Sequence, residues 1–205
     1  MSFFENTRKP EGLGGKLMVA MMNLGHGALA NWGMGFLSVQ PDACVLDCGC
    51  GGGANLQKLR KLCPEGSVYG IDYSTVSVEK SRKKNRSAIA AGQCRVEQAS
   101  VTELPFAAAA FDLVTAFETV YFWPDLTESF REVNRVLKPE GTFFLCNECS
   151  GDTDKDDKWT EKISGMTIYR DVQLKEILEQ AGFQAVRIHK NARGWLCMTA
   201  QKAKA

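Results

Sequence analysis

The 205 residues are enough for one ordinary domain with its own core, so no disulfide or metal staple is required. Twenty-five Lys plus Arg against 24 Asp plus Glu leave a net charge of +1, which excludes a chain-wide field that would gather nucleic acid or an anionic membrane. Hydrophobic residues at 44% and charged residues at 24% are globular values and exclude disorder, collagen and coiled coil as the main description.

The opening MSFFENTRKP carries an acid early and lacks an apolar stretch flanked by small residues, which predicts no secretory signal and a cytoplasmic location. From Leu17 to Pro41 there is no charged residue, a length that could cross a bilayer. Asn23, His26, Asn31, Ser38 and Gln40, with four interspersed glycines, argue against insertion, and no integral membrane segment is expected. Leu17, Met18, Met21, Met22 and Leu24 follow helical spacing, and Trp32, Met34 and Phe36 extend the adaptable apolar surface. Residues 1–40 are therefore read as an N-terminal helical lid on a core at 41–205, all within a single domain 1–205; a helix that merely covers the sheet is the alternative.

After Pro41 short apolar runs alternate with amphipathic ones, the pattern of parallel strands joined by crossover helices. The expected strands are Cys44 to Cys48, Ser67 to Asp72, Cys94 to Gln98, Phe111 to Phe117 and Thr142 to Asn147. The expected helices are Ala54 to Cys63, Thr75 to Ala91, and Asp125 to Leu137, the last opening on an Asp125-x-x-Glu128 cap and stopping at Pro139-Glu140-Gly141. Beyond residue 150, GDTDKDDKW has no apolar period and is read as a charged surface loop, followed by a helix near Asp171 to Ala181. Phe183 to His189 and Trp195 to Ala200, with Asn191 and Gly194 in the turn between, predict an antiparallel hairpin. Of the eight cysteines, six lie in or beside apolar runs and are expected as reduced thiols. Cys48-x-Cys50 and Cys146-x-x-Cys149 lack histidine partners, so no metal is expected.

The chemistry concentrates at Val45-Leu46-Asp47-Cys48-Gly49-Cys50-Gly51-Gly52-Gly53, an acid at a strand end followed by a glycine-rich turn into a helix. Glycines let backbone N–H groups approach a ligand closely, and the helix presents its positive end. Asp72 closes the second strand, where a carboxylate can accept hydrogen bonds from both hydroxyls of a ribose. These features point to a nucleoside site. Gly49-x-Gly51-x-x-Ala54 also fits the looser fingerprint of nicotinamide dehydrogenases, but Asp47 would face a pyrophosphate with like charge, whereas it pairs well with an ammonium group.

The whole segment resembles the class I S-adenosylmethionine-dependent methyltransferases, whose first motif is apolar-apolar-acid-x-Gly-x-Gly-x-Gly. Ile71-Asp72, Ala99-Ser100-Val101 with Leu104-Pro105-Phe106, Phe111-Asp112-Leu113-Val114, and Leu137 to Thr142 continue the likeness over about residues 43 to 148. Within the family it looks most like the small-molecule and quinone-biosynthesis type. The resemblance implies an α/β, Rossmann-like three-layer sandwich with a seven-stranded sheet in the order 3-2-1-4-5-7-6, strand 7 antiparallel. It also implies an enzyme that uses S-adenosyl-L-methionine, releases S-adenosyl-L-homocysteine and needs no metal. Carried over residue by residue, Gly49 and Gly51 line the methionine half and Asp47 holds the amino group, directly or through water. Asp72 takes the ribose, and Ser100 and Val101 meet the adenine, although the family often has Asp where this chain has Ser100. Cys50, Tyr73 and Phe117 complete the cofactor-binding set.

Methyl transfer needs alignment more than a base, but an acidic acceptor gains from one. His26, with an unperturbed pKa of about 6.5, is the first candidate, and Glu118 and Tyr121 just after the fourth strand are the others. Each has a plain alternative: a helix-end histidine bonded to a carbonyl, a cap, or a pocket wall. Met22, Trp32, Trp123, Met166 and Tyr169 are the candidate substrate residues. A small-molecule partner is expected, with the protein a monomer or homodimer. The basic cluster at Arg82, Lys83, Lys84 and Arg86 is read as a solvated face, so no nucleic acid is expected. A non-catalytic cofactor-binding protein is the other class of function that the motifs allow.

Overall fold

The computed structural model describes residues 27–152 and 154–204. Among the described residues seven strands form one sheet in the order β3-β2-β1-β4-β5-β7-β6, the arrangement implied by the resemblance. Two compact units divide the chain at Ser100. No helix among the described residues is long and apolar enough to cross a membrane.

The first unit contains α1 (Gly27–Met34), β1 (Cys44–Cys48), α2 (Ala54–Leu62), β2 (Ser67–Asp72), α3 (Thr75–Lys84), α4 (Arg86–Ala90) and β3 (Cys94–Gln98). Its strands are parallel, with Asp47 opposite Gly70 and Asp72 opposite Gln98. Val45, Leu46 and Cys48 are fully enclosed, as expected of a parallel strand covered on both faces. Leu56 and Leu59 of α2 are likewise buried, each burial stabilising by about 1.5–3 kcal/mol. The single helix expected over 75–91 is two helices that break at Asn85. There the side-chain amide donates to the carbonyls of Ser81 and Gly53, competing with the backbone ladder.

The second unit contains β4 (Phe111–Phe117), a 3-10 turn (Val120–Phe122), α5 (Leu126–Val136), β5 (Leu137–Asn147), α6 (Asp154–Lys162), α7 (Asp171–Gln180), β6 (Phe183–Lys190) and β7 (Leu196–Lys202). β4 and β5 run parallel, while β7 is antiparallel to both β5 and β6. The expected cap of α5 forms, the Asp125 carboxylate accepting the Glu128 N–H at 3.2 Å. Leu126, Phe130, Val133 and Val136 supply its buried stripe, and Phe130 meets Phe143 edge to face with centroids 5.2 Å apart.

Two expectations in this unit need correction. β5 starts at Leu137 rather than Thr142, because Pro139, Glu140 and Gly141 form an irregularity inside the strand instead of a stop before it. The segment read as a charged loop is mostly helix α6. It shows no apolar period because its neighbour Ile163, 3% exposed and bonded back to the Trp159 carbonyl, is the apolar anchor. All eight cysteines are free thiols, seven buried and Cys44 half-buried.

Candidate active site

In the first unit, the turn after β1 is built from backbone that glycine alone adopts readily. Gly49, Gly51 and Gly53 have φ of 79°, 51° and 75°. The N–H groups of Gly49 and Cys50 both bond the Ile71 carbonyl, at 2.8 and 2.9 Å, which ties the turn to the end of β2. Gly51 then donates to Asp72 Oδ2 at 2.9 Å, while Ser74 donates to Oδ1 at 2.9 Å. Asp72 is 8% exposed; burial raises its pKa above the ordinary carboxylate value, opposed by the N–H groups of Ser74 and Gly51. The Ser77 hydroxyl is a third donor, so of the roughly four acceptor sites of a carboxylate about one is left for a ribose hydroxyl. A Cβ placed on Gly51 would meet nothing within 4 Å, so the bend offers open space above a bare backbone. Asp47 lies buried at the end of β1, and α2 begins directly after the turn with its positive end toward it. Cys50 is buried and its thiol is held well above its usual pKa, chiefly by burial and then by the charge of Asp72, so it lines the turn as a neutral group. Tyr73 and Ser100 are exposed. These residues fit an adenosyl amino acid: a hydroxyl acceptor in Asp72, an uncovered bend and a second carboxylate, Asp47, buried at the strand end.

Sequence reasoning missed what backs this turn. Ser74, Ser77, Ser81 and Asn85 are all buried, spaced at helical intervals. Asn85 donates to the Gly53 carbonyl at 3.1 Å, and the Cys50 thiol reaches the Ser81 hydroxyl at 3.8 Å. The polar stripe itself was the available signal, since four polar side chains on one helical face demand buried partners.

In the second unit, β4 ends at Phe117, which is buried and tilts against Phe144 with centroids 5.4 Å apart. Val101, at the start of the unit, is 8% exposed. Glu118 follows in a left-handed conformation, φ 61°, uncommon for a residue other than glycine. Its carboxylate accepts the Glu148 N–H, and the Tyr121 hydroxyl lies 3.4 Å away. Burial pushes the Glu118 pKa up to about 8, the Glu148 charge adding to the effect while the two hydrogen bonds oppose it. Tyr121 is 3% exposed; its hydroxyl accepts the Cys149 N–H at 2.9 Å and also lies 3.3 Å from the Cys149 carbonyl. Burial, then Glu118, holds the phenol well above its usual pKa, so it stays protonated.

The structure thus brings Glu118 and Tyr121 together, with Glu148 and Cys149 as partners that the sequence reading did not name. Thr167 donates to the Tyr121 carbonyl at 2.9 Å, drawing the segment with half-buried Met166 and Tyr169 to the same turn. Trp123 instead joins the aromatic packing, stacked on Phe143 at 6.2 Å and edge-on to Phe130 at 5.9 Å. Trp32 on α1 is half-buried against Phe36, centroids 5.3 Å apart. His26 and Met22 lie outside the described residues. No three or more His, Cys, Asp and Glu side chains cluster as metal ligands among the described residues.

Residues 46–145 match the family profile described as a methyltransferase domain. This segment is a methyltransferase domain of the S-adenosylmethionine-dependent class I family. The chain is 30% identical over 159 residues to cycloartenol-C-24-methyltransferase of Arabidopsis thaliana, covering 73% of this chain and 47% of that protein. It is 35% identical over 109 residues to malonyl-[acyl-carrier protein] O-methyltransferase of Legionella pneumophila, covering 52% of this chain and 36% of that one. The chain therefore spans about half or less of the length of these curated relatives. The fold also matches a SAM-dependent methyltransferase from Aquifex aeolicus with a TM-score of 0.75 at 19% identity, covering 91% of this chain and 97% of the other.

Proposed function

We propose that the chain transfers a methyl group from S-adenosylmethionine to a small-molecule acceptor. The observation that carries this reading is the open, left-handed bend at Gly51, tied by its own N–H to the buried carboxylate of Asp72 and preceded by the buried carboxylate of Asp47. When bound, the cofactor supplies an electrophilic methyl group on a positively charged sulfur. Asp47 pairs with the ammonium group and Asp72 holds the ribose, while Gly49, Cys50, Tyr73 and Ser100 complete the first unit's binding set. Holding nucleophile, methyl and sulfur in line is worth on the order of 7–11 kcal/mol, so a base is an addition rather than a requirement.

Where the acceptor gives up a proton, Glu118 takes it. Only the ionised form can accept it, a minority at neutral pH that reaches half at about 8, and a general base contributes about 10²–10⁴-fold. Tyr121 orients that carboxyl, and His26 is the second candidate base. Met166 and Tyr169, drawn to the Tyr121 turn by the Thr167 N–H, supply apolar walls for the acceptor. The names of the relatives, a cycloartenol-C-24-methyltransferase and a malonyl-[acyl-carrier protein] O-methyltransferase, support an apolar or acyl acceptor. The chain acts in the cytoplasm as a monomer or homodimer; most of the lid expected over residues 1–40 lies outside the described residues.

The test is to incubate the purified protein with methyl-labelled S-adenosylmethionine and an extract of its own cells. The label is expected in a low-molecular-weight, solvent-extractable product. Label found on RNA or protein alone, or cofactor bound with no label transferred, overturns the proposal.

A further inference from the structure

Among the described residues β3 is the outermost strand of the sheet, and an open groove of about 850 Å³ runs along it. Arg82 of α3 and Arg86 of α4 rise on one side, over an apolar floor made with Ile89, Ala90 and Val96. Arg95 lines the same groove from the other face of the strand, since Cys94 and Val96 are buried and Arg95 between them is exposed. Three guanidinium groups face one carboxylate, Glu97, which pairs with Arg95. The phase of the strand is also set. The Gln93 carbonyl accepts from Val68 and the Ala99 N–H donates to Asp72, so the odd-numbered residues bond β2. Cys94, Val96 and Gln98 therefore turn their backbone N–H and C=O groups to the outer edge. Arg82 Nε donates to the Val96 carbonyl at 2.9 Å, occupying one of those edge positions.

The geometry points to a docking edge for an acidic segment of a partner protein, which adds to β3 as an extra strand. A compact anion would meet the cations of one face only, whereas an extended chain projects side chains alternately to both faces and reaches Arg82 and Arg86 on one side and Arg95 on the other. Its backbone pairs with the outward groups of Cys94, Val96 and Gln98, and its apolar side chains meet Ile89 and Ala90. On docking, Arg82 exchanges the Val96 carbonyl for a carboxylate, and a partner N–H takes its place, so each donor and acceptor keeps a partner. The five residues of β3 offer roughly 17 Å of edge, the length of an ordinary strand. The charge on this groove is local, in a chain whose total is +1.

The probe is a short, capped, fluorescein-labelled peptide of Glu, Val and Thr, titrated with the full-length protein and followed by anisotropy. Three comparison probes accompany it: the peptide with alternate backbone nitrogens methylated, the peptide with Lys in place of Glu, and a short RNA duplex. The acidic peptide is expected to bind, more weakly as salt is raised, and the methylated and lysine peptides are expected not to bind. R86E/R95E, checked for an unchanged circular dichroism spectrum and unchanged S-adenosylmethionine binding, should loosen the acidic peptide roughly tenfold or more. No binding of the acidic peptide, equal binding of its methylated form, or tighter binding of the RNA overturns the proposal. So does R86E/R95E binding the peptide as the parent protein does.

Discussion

The Glu118 carboxyl offers a test that reads the second unit directly. Its pKa stands at about 8 in the fold against an ordinary 4.5, because burial disfavours the charged form and Glu148 adds like charge. Between those two values the unfolded chain is ionised at this position while the folded chain keeps its proton, so folding takes up a proton. The stability that this group contributes is present in full below about pH 4.5 and falls as pH rises to about 8, by at most about 1.4 kcal/mol for each pH step. Integrated between about pH 6 and about pH 8, the expected loss is about 2 kcal/mol. Glu118→Gln keeps an oxygen for the Glu148 N–H but has no proton to lose. Urea unfolding of both proteins at the two pH values isolates the effect, since every other titrating group is shared. The parent protein should lose about 2 kcal/mol more stability than the variant over that interval. Equal losses would refute the claim that this carboxyl is held protonated by its surroundings.

Asp72→Ala removes charge-assisted hydrogen bonds worth about 1.5–3 kcal/mol, so calorimetry should show S-adenosylmethionine affinity lower by roughly ten- to a hundredfold; undiminished affinity contradicts the ribose assignment. Gly53→Ala forces a side chain into a left-handed position, φ 75°, with its Cβ in collision with Ser81 Oγ, 2.5 Å from Asn85 Nδ2 and 3.0 Å from the Ser81 backbone. A loss of about 1–3 kcal/mol or more is expected in thermal or urea unfolding, and an unchanged midpoint would show that the turn is not locked against α3.

The cofactor end was legible in the sequence because its determinants are local. Asp47, the alternating glycines and Asp72 lie at strand ends and turns, where backbone conformation and residue type are tightly linked, so the turn and its flanking acids could be placed from spacing. The strand order followed from the family resemblance, and the hairpin of β6 and β7 from turn chemistry. Helix α6 escaped because periodicity reports a buried stripe, and a charged helix next to one apolar anchor has none. The break at Asn85 escaped because it depends on a carbonyl at Gly53, thirty-two positions away in the chain.

The order of elements, the parallel pairing of the first strands and the residues flanking the glycine turn were thus settled by the chain itself, through short-range sterics and hydrophobic alternation. The proton held on Glu118, the enclosure of the Tyr121 hydroxyl by Cys149 and the buried polar stripe behind the turn were decided only by tertiary structure. Desolvation and hydrogen bonding of that kind depend on which distant segments arrive beside a group, and no local pattern of residues encodes that arrival.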